Sequence, residues 1–397
     1  MTSPTDESAG PPGYRALFRI RELRALVVSY AALVAGSSLG GLALGTVVNT
    51  QTGSPLLTAL ALFGPTLANV IGAATLMAWA DTDRPRRAMV VLQGLAALLV
   101  LAQTVPGLSI PVRLALVIVL GLMMSVATGL RLGVLTEIVD ADGYGPARSM
   151  MNIANGSMQV FGFGAGAVLL SRFTPRDLFL ADALALGLST MVVAVGVREH
   201  SARVGSRPSL RQTVATNTWL LRQRMLRPLL INLWVPNGLI VGCEALFIPY
   251  AGNNAGTLFM AGALGMLLGD FAMGRLVTRA QRSMLSPWLS VLLAAPYLAF
   301  VGSPPLALAG ALVVLASAGF SATLALQERL VELVPAEVRG EVQGVEGAGR
   351  MTMQGVGALL AGALAEAAPA HIVMTVMAVA SLLVTATSLR AVNRAFR

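Results

Sequence analysis

Two stretches of the sequence carry polar side chains at one-turn spacing inside otherwise apolar surroundings. Asn152, Asn155 and Gln159 recur at intervals of three and four residues, as do Gln343, Glu346, Arg350 and Gln354. On a helix this spacing puts each set on one face, and Glu346 and Arg350, four apart, can neutralise one another. Such a stripe can line an aqueous cavity and meet a solute or a proton, or it can tie helices together. More ionisable residues stand inside apolar runs: Arg131, Glu244, Glu328 and Arg329, with Glu137 and Glu332 nearer the ends of their runs. A charge at the centre of a membrane helix costs about 3 kcal/mol on insertion scales, so each is a candidate functional residue. Glu244, in "IVGCEALFIPY", has no charged residue within ten positions on either side. It is a second candidate, beside Glu346, for carrying a proton.

Other chemistries lack their residues. The histidines, His200 and His371, are far apart, Cys243 is single, and no Cys/His spacing or phosphate-binding glycine loop occurs. The expectation is a non-enzyme with no metal and no cofactor.

What positions these residues follows from composition. Of 397 residues 55% are hydrophobic and only 12% charged, about half the charged share of a soluble domain. Lipid is therefore the expected solvent for most of the chain. The net charge of +9 would suit nucleic acid, but the arginines that produce it lie between apolar runs, which excludes that partner. The opening "MTSPTDESAGPPG" has neither the basic start nor the apolar core of a cleaved signal peptide.

A bilayer-crossing helix needs about 20 mostly apolar residues, and twelve segments qualify. They are 24–47, 55–80, 87–105, 112–138, 148–171 and 177–198, then 228–250, 255–277, 284–302, 305–333, 340–366 and 371–391. Turn-forming stretches such as "NTQTGSP", "AGNNAG" and "VGSPP" separate them. The domains expected are a lead segment 1–23, a six-helix bundle 24–198, a central loop 199–227, a second bundle 228–391 and a tail 392–397. All 28 basic residues are arginine, and with both termini cytoplasmic 22 fall inside and 3 outside, as the positive-inside rule requires. The central loop, with "LRQTVATNTWLLRQRMLR", can form a basic amphipathic helix on the inner membrane surface.

The halves repeat. "LTEIV" at 135–139 matches "LVELV" at 330–334. Four further residues in the next loop then align Arg148 with Arg339, Asn152 with Gln343, Asn155 with Glu346 and Gln159 with Arg350. A six-plus-six duplication is the simplest account. Its interface is where paired stripes would face a shared solute site.

A dense charge cluster, "LMAWADTDRPRRAM" at 76–89, falls in the loop after the second span, and "GDFAMGRLVTRAQR" at 269–282 follows the eighth. Here the whole chain resembles the major facilitator superfamily of secondary transporters, which carries G-x-x-x-D-R-x-G-R-R after span two and a weaker copy after span eight. Taking Asp83–Arg84 as the D-R pair puts Arg87 on a signature arginine, with Trp79 and Arg86 on the glycines; the alternative makes Asp81 the family aspartate. The arginine-studded entry "GYRALFRIRELRAL" is similar to efflux-type members, whereas "GFGAGA" in span five lacks the proline of the drug-antiporter signature. The resemblance implies an all-α membrane protein of two pseudo-symmetric six-helix bundles. It implies proton-coupled export of a small amphipathic compound across the cell membrane by alternating access, in a monomer; the alternatives are an importer of a small solute and, further off, a non-transporting sensor or an intramembrane lipid enzyme. Asp81, Asp83, Arg84, Arg87, Asp270 and Arg275 would gate the cytoplasmic side. Arg131, Asn152, Asn155, Gln159, Glu244, Glu328, Gln343, Glu346 and Arg350 would serve the substrate and proton cavity.

Overall fold

The computed structural model describes residues 14–76, 84–200, 222–223, 226–335 and 338–396, and no strand occurs among them. Asp81 and Asp83, the first 13 residues and nearly all of the central loop lie outside the described residues. A lead helix, Tyr14–Leu17, precedes α1 (Arg21–Thr52), α2 (Pro55–Thr75), α3 (Pro85–Ala102), α4 (Ile110–Ile138), α5 (Ala141–Leu170) and α6 (Pro175–Gly196). The second half holds α7 (Leu226–Ala245, prolonged by Phe247–Ala251), α8 (Ala255–Phe271), α9 (Arg279–Leu292), α10 (Leu306–Ala318 and Ala322–Glu332), α11 (Arg339–Ala365) and α12 (Ala370–Phe396).

The sequence sets the ends. Proline opens α2, α3 and α6, where its missing N–H costs nothing. Thr278 and Gln281 form a capping box on α9, with the Thr278 N–H donating to Gln281 Oε1 at 2.9 Å. Helix α1 stops at Gly53, whose φ of 65° suits glycine and whose N–H reaches Asn49 O at 2.8 Å.

Three spans differ from the expectation. Pro296 cannot donate to an α-helical ladder, so α9 gives way to a 3₁₀ segment, Ala295–Gly302. A 3₁₀ turn, Gly319–Ser321, breaks α10; a Cβ at Gly319 would lie 2.6 Å from Leu293 Cα, so glycine lets the two helices touch backbone to backbone. Among the described residues ten segments are long and apolar enough to cross a membrane. One of them, Leu226–Leu276, contains both α7 and α8, divided at Gly252–Asn254 where Gly252 takes φ 55°. Helix α11 is missing from the ten because its polar stripe lowers its hydropathy.

Packing repeats between the halves. Helix α1 packs on α5 and α6 as α7 packs on α11 and α12, and α2 packs on α4 as α8 packs on α10. The halves meet along two equivalent seams, α2 with α11 and α5 with α8. One end of the molecule, here the tail side, carries the starts of α1, α3, α5, α9 and α11. The opposite end, the far side, carries the α1–α2, α7–α8 and α11–α12 connections. On the far side Leu42 of α1 is buried in a cluster formed otherwise by the second half, including Phe247, Ile248 and Phe259. Ala59 is buried with Ala245 and Ala358. On the tail side each half has its own core: Leu23, Leu26, Met89, Leu130 and Leu135 in one, Leu226, Leu229, Leu326, Leu330 and Val342 in the other.

Candidate functional site

Helices α1, α4 and α5 bring three polar residues together inside the first half. Arg131 lies on the buried face of α4, beside Ala127, Leu130, Val134 and Leu135, and is itself only 3% exposed. Its guanidinium stands 4.7 Å from the centre of the Tyr30 ring. Tyr30 donates its hydroxyl to Asn155 Oδ1 at 3.2 Å. The Nε and Nη2 of Arg131 are buried and have no hydrogen-bond partner. A cation over a ring face is attracted by about 2 kcal/mol when desolvated, which is small against the cost of burying a charge.

Helices α7, α10 and α11 build the counterpart in the second half, with opposite bookkeeping of charge. Glu346 is also 3% exposed, but its Oε1 accepts from Arg350 Nε at 3.1 Å and its Oε2 from Gln327 Nε2 at 2.8 Å. Trp234 Nε1 donates to the Glu346 carbonyl at 3.0 Å and fixes α11 against α7. Gly349 makes this possible, since a Cβ there would sit 2.5 Å from Trp234 Cζ2. One turn further on, Gln354 Nε2 donates to Asn237 Oδ1 at 2.8 Å. Both oxygens of the buried acid are therefore satisfied, whereas the buried arginine of the first half is not.

The other candidates are placed as follows. Asn152 and Gln343 are exposed and Gln159 is half-buried. Gln343 lines a 530 Å³ tail-side cleft with Gln327, Glu328, Glu332, Arg279 and Arg339. Glu328 pairs with Arg282 of α9, and Glu332 with Arg279 and Arg329, so these acids serve the tail-side end of the second half. Glu244 lies apart from Glu346, on the α8 side of α7. Its Oε1 would be 3.9 Å from a Cβ at Gly262, and it is buried without a partner, as are the Tyr297 hydroxyl and Ser317 Oγ. Arg84 precedes α3, and Arg87 lines a 510 Å³ cleft walled by Leu76, Val91, Leu92, Met123 and Val126. Asp270 is exposed and within electrostatic reach of Arg350. Arg275 lies 5.8 Å from the ring centre of Tyr14, whose hydroxyl is 2.9 Å from Ser149 Oγ.

Four residues with roles in this geometry were not among those picked from the sequence. Tyr30 is one. Arg86 is another: its N–H donates to Glu199 Oε1 at 2.9 Å and its side chain to Ala194 O at 2.5 Å, tying α3 to the end of α6. Asp182 of α6 is 4% exposed with Oδ1 unpartnered, wedged against α1 where only Gly36 and Gly40 leave room for its carboxyl. An acid inside the apolar run "LADALALG" is the same signal that marked Arg131, and it was legible. The fourth, Glu366, follows the last residue of α11 on the far side. It accepts from Ser54 Oγ at 2.5 Å and from the Leu56 N–H at 3.1 Å, linking the halves at the start of α2. Those two hydrogen bonds hold its carboxyl below the usual range. Among the described residues no group of three or more His, Cys, Asp or Glu side chains could hold a metal ion.

No protein-family model matches the chain, and no curated protein matches it. Solved structures do. The nucleoside transporter NupG, in a point-mutant form, matches with a TM-score of 0.75 at 12% identity, over 94% of this chain and 99% of that one. A bacterial homologue of the human lysosomal transporter Spinster, inward-facing and unoccupied, matches with a TM-score of 0.70 at 13% identity, over 95% and 97%. A bacterial homologue of the iron transporter ferroportin, inward-facing, matches with a TM-score of 0.66 at 14% identity, over 95% and 99%. The chain therefore has the major-facilitator fold, all-helical and built as two six-helix bundles, and these matched structures are membrane transporters.

Proposed function

We propose that the chain is a secondary active transporter that moves a small amphipathic compound by alternating access. The carrying observation is that, among the described residues, the core clusters drawing on both halves lie on the far side, while the tail-side cores are separate. Two bundles that share a core at one end and meet at the other through the contact of Arg275 with the Tyr14 ring, each with a buried ionisable residue, suit a rocking mechanism. The moving bodies are residues 24–198 and 228–391, joined by 199–227. The arginine distribution assigns the tail side to the cytoplasm of a cell-membrane protein, which makes this arrangement inward-open. Asn155, Arg131 and Tyr30 face the solute from one half, and Glu346, Arg350 and Gln327 from the other.

Glu346 is the proton carrier in this reading. A proton on Glu346 frees Arg350, and loss of the proton restores the pair, so substrate and proton compete for one switch. The solute leaves the cell in exchange for protons, and a single chain suffices. Arg84 and Arg87, with the aspartates beside them and with Asp270 and Arg275, engage across the tail side in the outward-open state.

Reconstitution into liposomes with an imposed pH gradient tests this. Flux of amphipathic solutes should follow the gradient and vanish in Glu346→Gln with the protein still folded. Gradient-driven flux at the wild-type rate from Glu346→Gln would remove it as the carrier and leave Glu244 as the next candidate. Accumulation down the proton gradient, rather than against it, would make the protein an importer.

A further inference from the structure

Resting on the transport reading above, we propose that the transported compound is an organic acid whose anionic head binds Arg131 in the first half. Arg131 is buried from solvent, yet two of its three guanidinium nitrogens have no acceptor. Its electrostatic neighbour among the described residues is Tyr30, a neutral phenol. A permanently charged fork with this much unused donor capacity matches a carboxylate in geometry and charge. The contrast with Glu346 sharpens the point, because there both acid oxygens are already taken by Arg350 and Gln327.

The surroundings describe the rest of the ligand. Tyr30 and half-buried Met124 and Met158 pack around the apolar cluster of Leu33, Val34 and Ala96 beside the site. Methionines give an adaptable apolar wall, suited to the body of an amphipathic acid. Asn155, half-buried and already oriented by Tyr30, keeps its amide N–H groups for a second oxygen of the head. Tyr30 covers one face of the guanidinium, and the unpartnered Nε and Nη2 are what remains for the head.

Three probes with one body and different heads test this on the full-length protein in detergent: 4-phenylbutyrate, 4-phenylbutylamine and 4-phenylbutanol. The acid should raise the thermal midpoint of the wild type and the other two should not. Arg131→Met should unfold at a higher temperature than wild type without ligand, because an uncompensated buried charge is gone, and should ignore the acid. Arg131→Lys should recover part of the response, and Asn155→Ala should weaken it about tenfold, the value of one charge-assisted hydrogen bond. The proposal is overturned if the amine or alcohol matches the acid, if no probe shifts the wild type, or if Arg131→Met is the less stable protein. An amine that stabilises the wild type and loses its effect in Asn155→Ala would leave the transport site standing and remove only its preference for acids. Indifference of every probe to both Asn155→Ala and Glu346→Gln would remove the site itself.

Discussion

On the far side, Leu42 and Ala59 of the first half are buried among residues of the second; on the tail side no described core cluster draws residues from both halves. The two ends are held by different physics. The far side is closed by shape. A Cβ at Gly256 would lie 2.9 Å from Ala167 Cα, and one at Gly362 2.9 Å from Ala59 Cβ, so α8 meets α5 and α11 meets α2 through small residues. The tail side is held by charge. Among the described residues, Arg282 with Glu328, Arg279 with Glu332 and Arg198, just past α6, with Glu22 each join parts of one half. A seam of small apolar residues has few polar bonds to break, while the described ion pairs brace each half separately, which suits the rocking proposed above. Glu366 is the polar exception on the far side, and it crosses between the halves.

The largest effect should come from stranding a charge in the second half. Arg350→Ala leaves Glu346 buried without its cation and should cost about 3–5 kcal/mol. Adding Glu346→Gln to that variant should recover most of the loss in thermal unfolding. An equal loss in the single and double variants would show that the pair is not what stabilises α11 against α7 and α10. Next in size is the seam. Gly256→Leu overpacks α8 against the α5 backbone by about 1–3 kcal/mol, so the far side should open. A cysteine placed at Ala255, which is fully buried, should then react with a membrane-impermeant maleimide about tenfold faster. An unchanged rate would mean that shape does not hold that end shut.

The smallest effect belongs to Glu366. Its folded carboxyl titrates below the ordinary 4.5, so its link is complete above that value and is lost as pH falls through the lowered one. Far-side labelling should therefore rise only below about pH 4.5 in the wild type, and Glu366→Gln should label faster at pH 7 with no such acid step. A wild type without the step would assign the far-side closure to packing alone.

The polar faces of α5 and α11 were legible because a helical period depends on nothing but the chain. The same stripe hid α11 from a test of apolarity alone. Arg86 was not legible as the contact residue of its cluster. Pro85 opens α3, which leaves the amide of Arg86 as a free helix-start donor, and Glu199 comes to it from just past the end of α6, more than a hundred residues on. Tyr30 became a functional candidate only when α1 was seen against α4 and α5, since a tyrosine near a helix start is ordinary in sequence. Glu366 needed the α2–α11 seam, a tertiary contact with no local signal. Asp182 carried the same local signal as Arg131; what the structure adds is the pair of glycines across from it.

The central claim is that the two ends exchange roles. Double electron–electron resonance with one label pair at Gln51 and Ala367 on the far side, and another at Arg148 and Gln343 on the tail side, measures it directly in reconstituted protein. A transported solute or an imposed pH gradient should lengthen the far-side distance and shorten the tail-side distance together. Distances that move in the same direction, or a far side that never opens while flux proceeds, would contradict alternating access in this protein.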